Sequence, residues 1–211
     1  MIDIDPKVRQ YCLNYASAIP KFYDQIQRST QLKTVRPGMA SDEIQGRLLA
    51  LFSKMLEPEL IVEVGTFTAY ATAFLAEGLK PDGKLISIEK NRDLKPLIEE
   101  HLSLLPIEKE IDVQYGDALS ILSNINGPID IVFIDAGKRE YSKYYELVIS
   151  KVKSGGLIIA DNTLWKGKVL ESNHDKMTRA IHQFNETISE DKRVEALLLP
   201  YRDGLTIMRK N

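Results

Sequence analysis

Ile131-Val132-Phe133-Ile134-Asp135 and Leu157-Ile158-Ile159-Ala160-Asp161-Asn162 are the stretches that decide the fold. Each is an unbroken apolar run closed by an acid. Successive side chains of a strand point to opposite faces, so a run that is apolar throughout needs both faces covered, as in the central strands of a parallel sheet. Working outward, runs rich in Ile and Val recur at Leu60–Val64, Lys84–Glu89, Ile111–Tyr115 and Ile129–Asp135, with Leu157–Asp161 as the fifth. Between them Ala69–Leu79, Leu94–Leu104, Ala118–Ile125 and Tyr141–Val152 carry apolar residues at helical spacing. Such alternation predicts right-handed strand–helix–strand units.

Toward the C-terminus the pattern predicts a helix over Lys176–Ile188, then two strands, Glu195–Leu199 and Leu205–Met208. Pro200-Tyr201-Arg202-Asp203-Gly204 joins them as a hairpin. Residues 1–57 read as helical. Asp5-Pro6 is an N-cap followed by proline at the first helical position, and Val8, Tyr11, Tyr15 and Ile19 recur at helical spacing up to Pro20. A polar stretch, Gln27–Lys33, ends at the breaker Arg36-Pro37-Gly38. A further helix starts at Ser41 or Asp42, with Gln45 placed to complete a capping box from Asp42. Its apolar face is Leu48, Leu49, Phe52 and Met55, and it stops before Pro58. The expected fold is α/β: a Rossmann-like, doubly wound, mostly parallel seven-stranded sheet with a C-terminal antiparallel hairpin. A helical extension over 1–57 precedes a nucleotide-binding domain over 58–211.

Composition narrows the classes. With 211 residues, 44% hydrophobic and 27% charged, the chain is long enough to bury a sizeable core without staples. Lys+Arg 28 against Asp+Glu 30 gives a net charge of −2, which excludes the global basic field of a nucleic-acid coat protein. The single cysteine, Cys12, forms no intrachain disulfide and is read as a buried helix residue. No apolar run approaches the roughly 20 residues that span a bilayer. Met1-Ile2-Asp3-Ile4-Asp5 is acidic where a secretory signal would be basic. The expectation is a cytoplasmic protein without membrane contact.

In an open α/β sheet, ligands bind beyond the carboxyl ends of the strands, where strand order reverses. Val62-Glu63-Val64-Gly65-Thr66-Phe67 ends the first strand on a glycine that permits a sharp turn and close backbone approach. Ile88-Glu89 ends the second on a carboxylate suited to a ribose diol, and Gly116-Asp117-Ala118 ends the third on an acid suited to an adenine amino group. A dinucleotide site needs two further glycines around the pyrophosphate. Here the turn continues Thr66-Phe67-Thr68-Ala69, and Glu63 would repel a pyrophosphate while accepting a bond from an ammonium. The balance favours S-adenosylmethionine (SAM) over NAD.

Asp135 closes the fourth strand and Asp161-Asn162 the fifth. Paired strands lie about 4.8 Å apart, so these oxygens could converge on one hard cation such as Mg²⁺, Mn²⁺ or Ca²⁺. The competing reading is a helix cap at Asp135 and a turn at Asp161-Asn162. Lys138, three residues after Asp135, is either a proton acceptor or a solvated lysine. Trp165 is either a wall of an acceptor pocket or loop packing. Tyr141, Tyr144 and Tyr145 read as core, and His101, His174 and His182 show no ligand spacing.

Taken together the chain resembles the cation-dependent class I O-methyltransferases that include the caffeoyl-CoA and catechol enzymes. The matching stretches are Met39-Ala40-Ser41 with Gln45-Gly46, Val62 to Tyr70, Pro81-Asp82-Gly83-Lys84 to Glu89, and Gly116-Asp117-Ala118. Ile134-Asp135-Ala136-Gly137-Lys138 with Tyr141, Gly155-Gly156-Leu157, Ala160-Asp161-Asn162-Thr163-Leu164-Trp165 and Asp203-Gly204-Leu205 follow in order. The resemblance implies Asp135, Asp161 and Asn162 as metal ligands and Lys138, with Asp135, as the catalytic pair. It implies a SAM site lined by Glu63, Gly65, Phe67, Ala71, Glu89, Asp117, Ala118 and Asp135, covered by Met39 and Ser41. It implies a small-molecule acceptor of catechol or vicinal-hydroxyl type, possibly carried as a CoA ester, and a homodimer whose N-terminal helices shape the acceptor pocket. Two departures stand out: the family usually has glycine where Ala69 stands, and caffeoyl-CoA-type members carry an acid in place of Gly137.

Rivals remain open. A hydroxylated nucleoside in transfer RNA could be the acceptor, with Lys21, Arg28, Lys33 and Arg36 as a local basic face. A NAD-binding reductase or a non-catalytic ligand-binding module would be separated by calorimetry with SAM against NADH.

Overall fold

The computed structural model describes residues 5–106 and 109–211; the acidic start at Met1–Ile4 lies outside the described residues. Three N-terminal helices, α1 (Pro6–Asn14), α2 (Phe22–Lys33) and α3 (Glu43–Leu56), precede β1 (Leu60–Val64). Then come α4 (Tyr70–Leu75), β2 (Lys84–Glu89), α5 (Lys95–Leu102), β3 (Glu110–Tyr115), α6 (Ala118–Asn124) and β4 (Ile129–Ile134). The chain continues through α7 (Tyr141–Ile149), β5 (Val152–Asp161), α8 (Lys176–Glu190), β6 (Val194–Leu199) and β7 (Leu205–Lys210). The seven strands lie in the order β3-β2-β1-β4-β5-β7-β6. The first five are parallel, and β7 runs antiparallel to both β5 and β6. The expected α/β architecture, the strand sequence and the hairpin are therefore present.

Alternation sets the two faces. Val62, Val64, Val132, Ile134 and Ile158 pack under α7 and α8 on one side, while Ile61, Ile131, Phe133 and Ile159 pack under α3 and α4 on the other. A third cluster joins α2 to α4: Tyr23 is fully buried and stacks on Phe74 at a centroid separation of 3.9 Å. Gly46 lets α3 reach that layer, since a Cβ there would lie 2.3 Å from the Phe74 ring.

The N-terminal third departs from the expectation in several places. The helix from Asp5 ends at Asn14 rather than running to Ile19, and Tyr11 and Tyr15 are 63% and 77% exposed. Cys12 is exposed, not buried; α1 has no buried residue, so among the described residues its periodicity has nothing to pack on. The polar stretch Gln27–Lys33 lies inside α2 and ends it, with only Tyr23, Ile26 and Thr30 buried along the helix. On α3 the buried stripe is Gln45, Leu49 and Ser53 with Gly46 and Ala50, whereas Met55 is 79% exposed. Asp42 is the N-cap as read, accepting from the Gln45 backbone NH at 2.9 Å, yet the Gln45 side chain does not return the bond. Strand β5 begins at Val152, five residues before the apolar run, because its first turn pairs beside Ile129.

Candidate functional site

Strand order reverses between β1 and β4, and register brings the tips level there. Val64 lies beside Ile88 and Ile134, and Ile134 beside Ala160. The next residue on each strand is therefore Gly65, Glu89, Asp135 or Asp161: one row of turn and acids across four strand ends. Mostly apolar residues hold each strand within the sheet up to this row, with Glu63 and Ser87 buried just behind it.

Gly65 takes φ +103°, and a Cβ on it would lie 2.1 Å from the Asp135 carbonyl oxygen. Only glycine lets the two strand ends approach so closely. Beyond it Phe67 and Ala69 also adopt positive φ, 48° and 60°, so Ala69 occupies a backbone conformation that favours the glycine seen in the resembling family. The turn is tied down by Glu89, which accepts from the Phe67 NH at 2.8 Å and the Asn91 NH at 2.7 Å. Thr30 of α2 donates to Thr68 at 2.9 Å from above. A narrow cleft over this turn is lined by Met39, Ser41, Gly65, Phe67, Ala71 and Asp135. Six of the residues expected at the cofactor site are thus brought together. Glu63, Asp117 and Ala118 do not line this cleft, nor does Glu89, whose carboxylate holds the turn from behind. Asp117 is exposed and caps α6 through the Ser120 NH at 3.0 Å.

Glu63 is fully buried. Its Oε2 accepts from Thr72 and Ser87, each at 2.5 Å, and among the described residues its Oε1 has no hydrogen-bond partner. Burial raises its pKa to about 8, against the lowering effect of the two hydroxyls, and the charges of Asp135 and Glu89 add to the rise.

At the other end of the row, Lys138 donates to Asp135 Oδ1 at 2.7 Å and to Tyr141 Oη at 2.7 Å. Tyr141, fully buried, donates to backbone carbonyls of both strand ends, Ile134 at 3.2 Å and Asp161 at 3.0 Å. Asp161 is buried. Its Oδ2 accepts from Gln45 Nε2 at 2.9 Å and its Oδ1 from the Asn162 NH at 2.7 Å. Its pKa is raised, first by burial and then by the Asp135 charge, while Gln45, Lys138 and Arg202 oppose the rise. Asn162 takes φ +60°, a left-handed conformation that asparagine tolerates. Among the described residues no three His, Cys, Asp or Glu side chains form a metal cluster. Asp135, Asp161 and Asn162 sit at the neighbouring β4 and β5 tips and carry only oxygen donors of the kind hard cations take. Trp165 is half-buried against the core beneath α8, and Tyr141, Tyr144 and Tyr145 are core residues as expected.

Gln45 was read as a capping residue; its reach to Asp161, across 116 residues of sequence, has no local signal. Of the basic residues considered for RNA contact, Lys33 is bonded to Glu100 at 2.6 Å.

A parallel sheet of this order with an antiparallel seventh strand, a single-glycine turn after β1 and an acid closing β2 defines a nucleotide-binding α/β enzyme. Comparison with known proteins narrows the class. A family model described as O-methyltransferase matches residues 14–211. Tricin synthase 2 of Oryza sativa subsp. japonica is 33% identical over 185 residues, covering 82% of this chain and 63% of that protein. Caffeoyl-CoA O-methyltransferase 1 of Eucalyptus globulus is 30% identical over 184 residues, covering 82% and 75%. Among solved structures, the O-methyltransferase TomG of Streptomyces achromogenes, in complex with SAM, superimposes with a TM-score of 0.89 at 25% identity, covering 97% and 96% of the two chains. The chain belongs to the class I SAM-dependent O-methyltransferases related to the caffeoyl-CoA and catechol enzymes. Among the described residues no helix is long and apolar enough to cross a membrane.

Proposed function

We propose that the protein transfers the methyl group of SAM to one oxygen of a catechol-like or vicinal-hydroxyl small molecule, with a divalent cation. The observation that carries this reading is the row of strand tips, in which a cleft beside Gly65 adjoins Asp135, Lys138, Asp161 and Asn162. Asp135, Asp161 and Asn162 would hold the cation. A phenol is about 0.1% ionised at pH 7, a deficit of about 4 kcal/mol, and a bound divalent cation supplies the positive charge that makes the phenolate accessible.

The remaining work falls to the chain. Lys138, fixed between Asp135 and Tyr141, would take the hydroxyl proton at Nζ in its neutral form, having first released a proton to solvent as Asp135 engages the cation. The Gly65–Ala69 turn would seat the methyl donor, with Glu63 and Glu89 as acids for its ammonium and ribose, Asp117 and Ala118 beside its base, and Met39 and Ser41 above. Attack along the sulfur–methyl axis depends mostly on positioning, which rigid strand tips provide. Residues 1–57 would act as the cover, and Trp165 as a wall of the acceptor pocket. The exposed apolar face of α1, with Val8 and Tyr11, together with Tyr15 just beyond its end, supports a two-copy assembly, tested by sedimentation of wild type against Tyr11→Ser/Tyr15→Ser.

The deciding experiment is methyl transfer from labelled SAM to catechols and acyl-CoA phenols, with and without chelator. Wild type is expected to be chelator-sensitive, and Asp161→Ala to lose that activity while still binding SAM. Full activity in Asp161→Ala would overturn the cation assignment.

A further inference from the structure

Asp161 is held by Gln45, which is itself held by Arg202 from the other end of the chain. Gln45, 1% exposed on α3, donates Nε2 to Asp161 Oδ2 at 2.9 Å, and its Oε1 accepts from Arg202 Nη1 at 2.9 Å. A guanidinium only donates and a carboxylate only accepts, so its two neighbours dictate which way the amide faces. Arg202 reaches Gln45 from the β6–β7 turn with φ +50°, a conformation uncommon for a residue with a side chain. Its neighbour Tyr201 clamps the same turn to the start of α3, donating to Asp42 at 2.7 and 2.9 Å. With the Asn162 NH on Oδ1, each oxygen of the Asp161 carboxylate has a donor. Its plane is therefore fixed, and each oxygen keeps a lone pair free.

We infer that Gln45 and Arg202 are positioning residues that pre-orient Asp161 for the divalent cation, an inference resting on the cation site proposed above. Partners that orient a ligand carboxylate typically change metal affinity by about 10–100-fold when removed. A role confined to tethering the hairpin to α3 would lower thermal stability and leave metal affinity alone. The two roles separate in binding measurements that need no turnover.

The test is calorimetric titration of Mn²⁺, and separately of SAM, into wild type, Gln45→Met, Arg202→Gln and Asp161→Ala. Gln45→Met keeps the side chain's length and removes its amide. The expected result is Mn²⁺ binding in wild type, lost in Asp161→Ala and weakened about 10–100-fold in Gln45→Met. Arg202→Gln should weaken it by a smaller factor, with SAM affinity within about twofold throughout. Unchanged Mn²⁺ affinity in a folded Gln45→Met overturns the positioning role while leaving the cation site standing. If Gln45→Met does not fold, Arg202→Gln decides on the same criterion. Absence of Mn²⁺ binding by wild type brings down the cation site and this inference together.

Discussion

Glu63 carries a carboxyl group sealed between β1, β2 and α4, with one oxygen that no donor reaches among the described residues. Folded, it holds its proton to about pH 8, against 4.5 for an ordinary glutamate. Between those values the folded chain binds more proton than the unfolded one. Its contribution to stability is therefore complete below about pH 4.5 and is lost as pH rises through 8. Glu63→Gln should remove a decline of up to about 1.4 kcal/mol per pH unit, read from urea unfolding at pH 7 and 8. Parallel pH dependences in the two proteins would contradict the burial assigned to this acid. Lys138 offers a kinetic counterpart: Lys138→Ala should lower turnover by about 10²-fold or more, with SAM affinity nearly unchanged in a binding titration. Undiminished turnover would remove Lys138 from proton transfer.

Among the elements, α3 ends on an avoidable strain. Glu57, exposed and followed by Pro58, closes the helix at φ 45° and ψ 61°, its NH bonded to Ser53 at 2.9 Å. That left-handed conformation costs a side-chain-bearing residue about 1–2 kcal/mol, against about 0.4–1 kcal/mol of extra unfolded-state freedom for glycine. Glu57→Gly should stabilise the protein by about 0.5–1 kcal/mol in denaturant unfolding; a destabilised variant would show that the cap is not strained. Helix and strand identities were legible where apolar period met two covered faces, as in Ile131–Ile134. They mislead where period meets none: Val8 and Tyr11 repeat at helical spacing on a helix with no buried residue, and Tyr15 continues the repeat past its end at Asn14. Met55 continues the apolar pattern of α3 but falls on the solvent side, because Gln45 and Ser53 take the buried stripe for hydrogen bonds to Asp161 and the Leu75 carbonyl.

For the whole molecule, the row of strand tips was legible because each strand announces its end with a polar residue, Glu89, Asp135 and Asp161 among them. Parallel register then aligns residues that are dozens of positions apart. What pattern could not supply is the support behind that row. Gln45 lies on an ordinary amphipathic helix and Arg202 in an ordinary turn, and only tertiary packing brings them to one carboxylate.

The seventh strand carries a further consequence. Because β7 is inserted between β5 and β6, β6 comes before its sheet neighbour in the chain and has no strand to pair with until Leu205–Lys210 docks. Throughout that interval the peptide groups of Val194–Leu199 stay open to any passing extended chain, and the five parallel strands are left with β5 as a temporary border. Closure of the sheet is thus postponed to the strand that comes last in chain order, and a chain folded only as far as β6 keeps β5 and β6 as open edges that β7 joins in the finished sheet.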